Sequence, residues 1–351
     1  MKSKTQYADT LHMNQLKWSI YNANELNTYI YEWDNLNTLN TAVLQSDFIL
    51  PLLKHFGTGK EKLAIYREGV KIKAMAIIEP VKLGCWCTFQ PSQAPLGCWL
   101  QTTENSTEYL GRELRKVLPF PSLVFSITQQ DSDLLPIPPQ SKTLTTSHYI
   151  DTACITIHEE FSEYWMHRGK NLRNNFSKQS NKLKRNGITA NLSIIENPKD
   201  IKNAVEIFGE MESAGWKSKE NTAININNKQ GLFYVDMLTL FANKGLAKIF
   251  QYKYNDIVVA SDLCIENETS IIILKTTYNE EYSKTSPSTL MRKEEFEYIF
   301  NNTSFRRIEF YGRVMEWHTK WTNEIRDMYH ITLQLPSIKK IRRIRNIFKN
   351  S

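Results

Sequence analysis

The sequence predicts a mixed α/β fold in which a largely antiparallel sheet is flanked by helices. Three observations carry that prediction. Residues 246–278 read as three consecutive strands: Leu246–Tyr254 alternates apolar and polar side chains, and Ile257–Ile265 and Ser270–Tyr278 are apolar, β-branched runs. Asn255-Asp256 supplies a hairpin turn between the first two. Directly behind the third, Ser286-Pro287-Ser288-Thr289 opens a helix through Arg292, Phe296 and Phe300. Finally, the 351 residues are 41% hydrophobic and 11% aromatic, enough to bury a sizeable core. A strand that runs through a polar loop into a helix N-terminus aims free backbone N–H groups at one spot, which suits an anion or a phosphate.

The length allows two ordinary domains or one large one. A net charge of +7 fits anionic ligands such as CoA, phosphates or an acidic membrane surface, and does not demand nucleic acid. Cys85, Cys87, Cys98, Cys154 and Cys264 are odd in number and form no Cys-x-x-Cys pair. They read as reduced, mostly buried thiols of a cytoplasmic protein. A metal held by Cys85, Cys87 and His148 is not expected, because no second ligand pair has zinc spacing. No apolar stretch follows Met1-Lys-Ser-Lys-Thr, and no run approaches the ~20 apolar residues of a membrane span.

Residues 1–60 read as a polar lead-in followed by helices, with Leu26, Tyr29, Ile30 and Trp33 on one face of Asn24–Trp33. Leu63–Ile78 is a hairpin about Glu68-Gly69. A Pro- and Gly-spotted stretch follows, 84–97, then an amphipathic helix from Glu108 to Leu118 stopped by Pro119 and Pro121. Leu123–Ile127 is a strand, and the Pro-rich 131–147 is a loop or linker.

Tyr149–Ile157 is the strand that begins the second half. Phe161, Trp165, Leu172, Phe176 and Leu183 recur at helical spacing, with Gly169 placed to divide two helices and Gly187 to cap the second. The basic residues around that stripe, Arg168 to Arg185, are either a solvated face or a wall beside an anionic ligand. Ile188–Glu196 is a strand, a helix runs from Pro198 to about Ser213, and Trp216-Lys217 stands in the following loop. Leu232–Asn243 is a helix ending near Gly245. After the meander and its helix come a short strand Arg307–Tyr311, an aromatic loop Trp317–Trp321 and a last strand Tyr329–Leu335. The tail, 338–349, carries six basic residues and no acid. It is either a terminal helix docked on its own protein or a basic amphipathic segment for an anionic membrane surface.

This order of elements, with its residues, resembles the GNAT (GCN5-related N-acetyltransferase) fold, and in particular the tandem-GNAT, CelD-type family first associated with cellulose biosynthesis. The resemblance covers roughly residues 149–335. It rests on the basic run Leu172–Gly187, on Trp216-Lys217 with Asn221-Thr222-Ala223-Ile224, on Lys275-Thr-Thr-Tyr-Asn-Glu-Glu-Tyr282 with Ser286-Pro287, and on Glu309-Phe-Tyr-Gly312 with Lys320-Trp321. Two positions depart from the family pattern: Ser288, where glycine is usual, and His318-Thr319, where tyrosine is usual. The resemblance implies two GNAT-like units in tandem, a degenerate one over 1–148 and an acyltransferase domain over 149–336, with 337–351 a basic tail. FemAB-like transferases share this plan.

Implied with it is acyl transfer from acetyl-CoA, or another acyl-CoA, to an amine acceptor such as an amino sugar of cell-surface polysaccharide, without a metal. The pyrophosphate falls to Ser286, Ser288 and Thr289, and the thioester carbonyl to the strand at Lys275, Thr276 and Thr277. Glu309 is the first candidate for the base and Asp262 the second, with the alternative that Glu309 simply holds Lys320 or Arg313. Tyr278 and Tyr311 are candidates to protonate the leaving thiolate, unless they only pack. Trp216, Lys217 and Lys320 are expected on the acceptor side. Two other functions stay open: a FemAB-like aminoacyl transferase acting on a cell-wall precursor, and a non-catalytic GNAT-like binding protein. The expected location is cytoplasmic, at the inner membrane face if the tail binds lipid.

Overall fold

The computed structural model of the protein describes residues 16–214 and 224–337. In chain order the elements are β1 (Leu16–Asn22), α1 (Ile30–Leu36), α2 (Ser46–Phe56), β2 (Lys62–Glu68), β3 (Lys71–Lys82), β4 (Cys85–Thr88), β5 (Trp99–Gln101), α3 (Thr107–Val117), β6 (Val124–Asp131) and β7 (Leu144–Thr156). There follow α4 (Phe161–Met166), α5 (Lys170–Arg185), β8 (Ala190–Ile195), α6 (Ile201–Ala214), α7 (Lys229–Asn243), β9 (Ala247–Tyr254), β10 (Ile257–Glu266), β11 (Ser270–Tyr278), α8 (Pro287–Asn302), β12 (Arg307–Glu309), α9 (Glu316–Thr319) and β13 (Ile325–Gln334). The described residues divide into two compact units, one within Met1–Leu53, Gly57–Tyr149 and Asp327–Ser351, the other within Lys54–Phe56 and Ile150–Arg326.

In the first unit the strand order is β1-β2-β3-β4-β6-β13, with β5 also on β3. All neighbours are antiparallel except β4 and β6. Trp18, Tyr66, Trp99, Phe125 and Tyr329 meet Leu110 and Leu114 of α3 in its core. The hairpin expected at Glu68-Gly69 forms, with Gly69 at φ +59° where a Cβ is disfavoured. Ser106 caps α3 by accepting from the Tyr109 N–H at 3.2 Å.

Three expectations need correction in this unit. Residues 16–22 form a strand rather than a polar lead-in, because their alternation lays Trp18 opposite Tyr66 in the core. The helix expected over Asn24–Trp33 divides at Tyr29 into a 3-10 turn, Ala23–Thr28, and α1, although Leu26 and Trp33 are both buried. The last strand, placed with the second unit by its position in sequence, pairs with β6 from Met328↔Asp131 to Gln334↔Val124. Tyr329, Ile331 and Leu333 alternate onto the core beneath α3, so burial places this strand in the first unit.

In the second unit the order is β7-β12-β11-β10-β9-β8, antiparallel except for β11 with β12. Only the residues of β7 from Ile150 onward belong to it. From Val259 to Glu266, β10 is buried at every position, so both faces of the sheet are covered. Phe250, Cys264, Ile271 and Ile273 pack on Phe296 and Ile299 of α8, and α6 and α7 pack against β9, β10 and β11. Gly169 stands between α4 and α5 as expected, and Gly187 and Gly245 take positive φ behind α5 and α7.

Candidate functional site

The parallel strands β11 and β12 form a fork. They pair only over Ser270↔Arg307, Ile271↔Ile308 and Ile272↔Glu309. β11 continues on β10 as far as Ala260↔Tyr278, while the other arm stays with β7, where Phe310 N–H donates to Ala153 O at 3.4 Å. Lys275, Thr276 and Thr277 therefore lie on a strand edge that has no β12 residue beside it among the described residues. Tyr311 follows at φ +48°, an outlier for an aromatic residue and the kind of strain that marks functional sites.

β11 then enters a 3-10 turn, Glu280–Thr285, that ends on Ser286 at φ +53°. Pro287 fills the first position of α8, where its missing N–H costs nothing. Thr289 and Leu290 both donate to Ser286 O, at 3.0 and 3.2 Å. The positive φ thus falls on Ser286, and Ser288 has ordinary helical backbone. The departure from glycine at 288 requires no strained conformation.

Behind the fork lies a buried cluster that unites β10, β11, α8 and α9. Asp262 and Glu295 are wholly buried and Arg292 nearly so. Arg292 Nη1 bonds Asp262 Oδ2 and reaches Glu295 Oε2 at 3.3 Å, while Nη2 donates to Thr276 Oγ1 at 3.1 Å. One guanidinium cannot balance two carboxylates away from water. Burial, with Asp262 beside it, holds the Glu295 carboxyl well above the usual carboxylate range. Burial also raises Asp262, with Arg292 opposing. Asp262 Oδ1 and Glu295 Oε1 each lack a donor in the protein, and a single proton held between the two carboxyls satisfies both. The cluster is then neutral, with Arg292 charged and one proton shared by the two carboxyls.

His318 closes the cluster. Its Nδ1 accepts the Met315 N–H at 2.9 Å, which leaves the ring hydrogen on Nε2. Burial, and then the charge of Arg292, lowers its pKa to about 4, so the ring is neutral near pH 7. It stacks on Trp317 with centroids 3.6 Å apart, and the Arg292 guanidinium lies 5.1 Å from the Trp317 ring.

Glu309, at the end of the paired segment, is buried and bound on both oxygens: Arg307 Nε at 2.6 Å and Arg326 Nη2 at 2.7 Å. It holds Arg307 and Arg326, where Lys320 or Arg313 was anticipated. Arg326 also lies over the buried Tyr311 ring at 5.3 Å, so the fork brings Glu309 and Tyr311 together, just as Arg292 joins Asp262 to Thr276. Tyr278 ends β11 partly exposed, and Lys320 pairs with Glu316 at 3.1 Å, apart from these groups. Trp216 and Lys217 lie outside the described residues. Along α5, Lys178, Lys184 and Arg185 are exposed. Sequence reasoning missed Arg292, Glu295 and His318. For Arg292 and Glu295 the signal was charge at i and i+3 on the otherwise apolar face of Leu290, Phe296 and Ile299; for His318 it was the departure from tyrosine at that position.

Residues 170–319 match the family model described as the acetyltransferase (GNAT) domain. Among curated proteins no sequence match is found. Similar solved structures include the C-terminal domain of a protein from Agrobacterium fabrum named as a lysylphosphatidylglycerol synthetase, at 9% identity and TM-score 0.57, over 91% of this chain and 95% of that one. FemX is similar at 9% identity and TM-score 0.52, over 79% and 88% of the two chains. A tandem GNAT protein from the clavulanic acid biosynthesis pathway is similar at 11% identity and TM-score 0.50, over 90% and 98%. Identities this low speak to fold alone. The chain thus has a mixed α/β fold of two GNAT-like units in tandem, and the acetyltransferase (GNAT) domain match falls within the second.

Proposed function

We propose that the protein is an acyl-CoA-dependent N-acyltransferase acting on an amine acceptor, with an amino sugar of cell-surface polysaccharide as the class its CelD-type segments suggest. The observation that carries this reading is the fork between β11 and β12, with the N-terminus of α8 at the end of β11. The half-buried strand edge at Lys275, Thr276 and Thr277, beyond the last β12 pair, offers backbone groups to a thioester carbonyl. Ser286, Ser288 and Thr289 surround the helix N-terminus that suits a diphosphate. The thioester supplies an activated acyl group. Attack by the amine forms the amide and breaks the C–S bond, so one proton leaves the nitrogen and one goes to the thiolate. Tyr278, at the open end of β11, is the donor for the thiolate.

Glu309 is assigned a positioning role. With both oxygens engaged by arginines it sets charge at the base of the fork, and water takes the ammonium proton. Asp262 is sealed behind Arg292 and supports the strand edge through Thr276. Trp216, Lys217 and Lys320 remain assigned to the acceptor side. The free thiols suit a cytoplasmic location. Millimolar acetyl-CoA should raise the melting temperature and protect residues 275–300 from hydrogen exchange. No shift and no protection would remove this reading.

A further inference from the structure

One end of the first unit carries apolar side chains that nothing covers. Leu83, in the β3–β4 turn, is 86% exposed and Phe120, in the α3–β6 loop, is 96% exposed, with Val81 at 64%. The two loops lie side by side, because Gly84 O accepts from both Leu123 N–H at 2.8 Å and Val124 N–H at 3.0 Å. Arg115 ties the second loop to α3 through Ser122 O at 3.0 Å. These are therefore held, protruding tips. Scattered single apolar residues need no explanation, but adjacent ones this exposed mark an interaction site.

Basic side chains outnumber acids around them. Lys82 and Lys116 flank the tips, and Glu113, the acid of residues 111–123, is engaged by Lys116 at 2.7 Å. The same end receives the close of β13: Gln334 pairs with Val124, and its N–H donates to Thr143 O at 2.9 Å, next to exposed Lys142. From there the sequence continues through 338–349, with six basic residues, no acid, and Ile338, Ile341, Ile344 and Phe348 at helical spacing.

We propose that this end of the first unit docks on an anionic lipid bilayer, with Leu83 and Phe120 inserted among the headgroups and the flanking lysines on the phosphates. Protruding apolar tips in a cationic setting match a charged interface with apolar depth beneath it. The chemistry recognised is that of acidic phospholipid headgroups above acyl chains. This surface belongs to the first unit and the fork to the second, and the proposal stands whether or not the acyltransferase reading does.

The test is co-sedimentation of the full chain with mixed phosphatidylglycerol–phosphatidylcholine vesicles and with phosphatidylcholine alone. The wild type should pellet with the anionic vesicles and be released by salt. Leu83→Ser/Phe120→Ser, which alters exposed side chains and keeps every tail charge, should bind at least about tenfold more weakly with an unchanged melting temperature. Three results overturn the proposal: no anionic-vesicle binding by the wild type, equal binding by the double variant, or a wild-type oligomer in light scattering that the double variant abolishes. The second assigns any binding to the tail alone. The third assigns the tips to contact between copies of the chain.

Discussion

Arg292 on α8 and Asp262 on β10 form an ion pair whose side chains are 3% and 0% exposed. The pair connects the helix that begins at the anion-suited loop to the strand beside the fork. Removing one member of such a pair strands the other charge in the interior. Arg292→Leu should therefore destabilise the second unit by about 3–5 kcal/mol, read in urea denaturation, and Asp262→Asn/Arg292→Leu should recover a measurable part of that loss.

The protonated Glu295 makes stability fall on the alkaline side. Its folded pKa lies well above the unfolded value of 4.5, so the folded form gains most below that value and loses the gain as pH rises toward the folded pKa. Glu295→Gln, which stays neutral, should flatten this slope in a series of melting temperatures against pH.

His318 acts in the opposite direction. With a folded pKa of about 4 against a usual 6.5, it contributes stability that is complete above 6.5 and lost as pH falls toward 4. The loss should be on the order of 3 kcal/mol by linkage. In His318→Gln the acid-side decline between those limits should shrink, with the alkaline slope unaltered.

At the fork, Glu309→Gln removes the charge shared by Arg307 and Arg326. The expected cost is about 2–4 kcal/mol of stability, given that the Arg326 side chain is 8% exposed. If Glu309 only positions charge, thiol release from acetyl-CoA at a temperature where the variant is folded should slow by less than about tenfold. A loss within the range of about 10²–10⁴-fold that a general base supplies would reinstate it as the base.

Ser288 offers a test of the donor loop that leaves the core untouched. Its helical backbone makes Ser288→Gly nearly neutral for donor binding. Ser288→Asp places a negative charge beside the expected diphosphate and should weaken acetyl-CoA binding about tenfold in calorimetry.

Much of the second unit was legible because its signals are local. The β9–β11 meander, the turn at Asn255 and the Ser-Pro start of α8 are written in alternation, turn residues and capping chemistry. The cluster was not legible, since Asp262, Thr276, Arg292, Glu295 and His318 become neighbours only when two strands and two helices pack. Charge on an amphipathic helix reads as solvated until the facing strand is known. Likewise Glu309 looked like a strand-end carboxylate, and only the start of β13 supplies Arg326. In the first half, β1 was hidden because Trp18 needs Tyr66 across the sheet to define an inward face.

The place of β13 bears on how the chain is made. The amino-terminal unit receives a core strand from the last described residues of the polypeptide, with Tyr329, Ile331 and Leu333 in its interior. Synthesis must pass through the whole second unit before that sheet is complete, so the usual order, in which the first domain folds while the second is still emerging, does not apply here. A ribosome that stops after Glu324 leaves the early unit, and not the late one, without its strand. The β6 edge is then open to pairing with other chains.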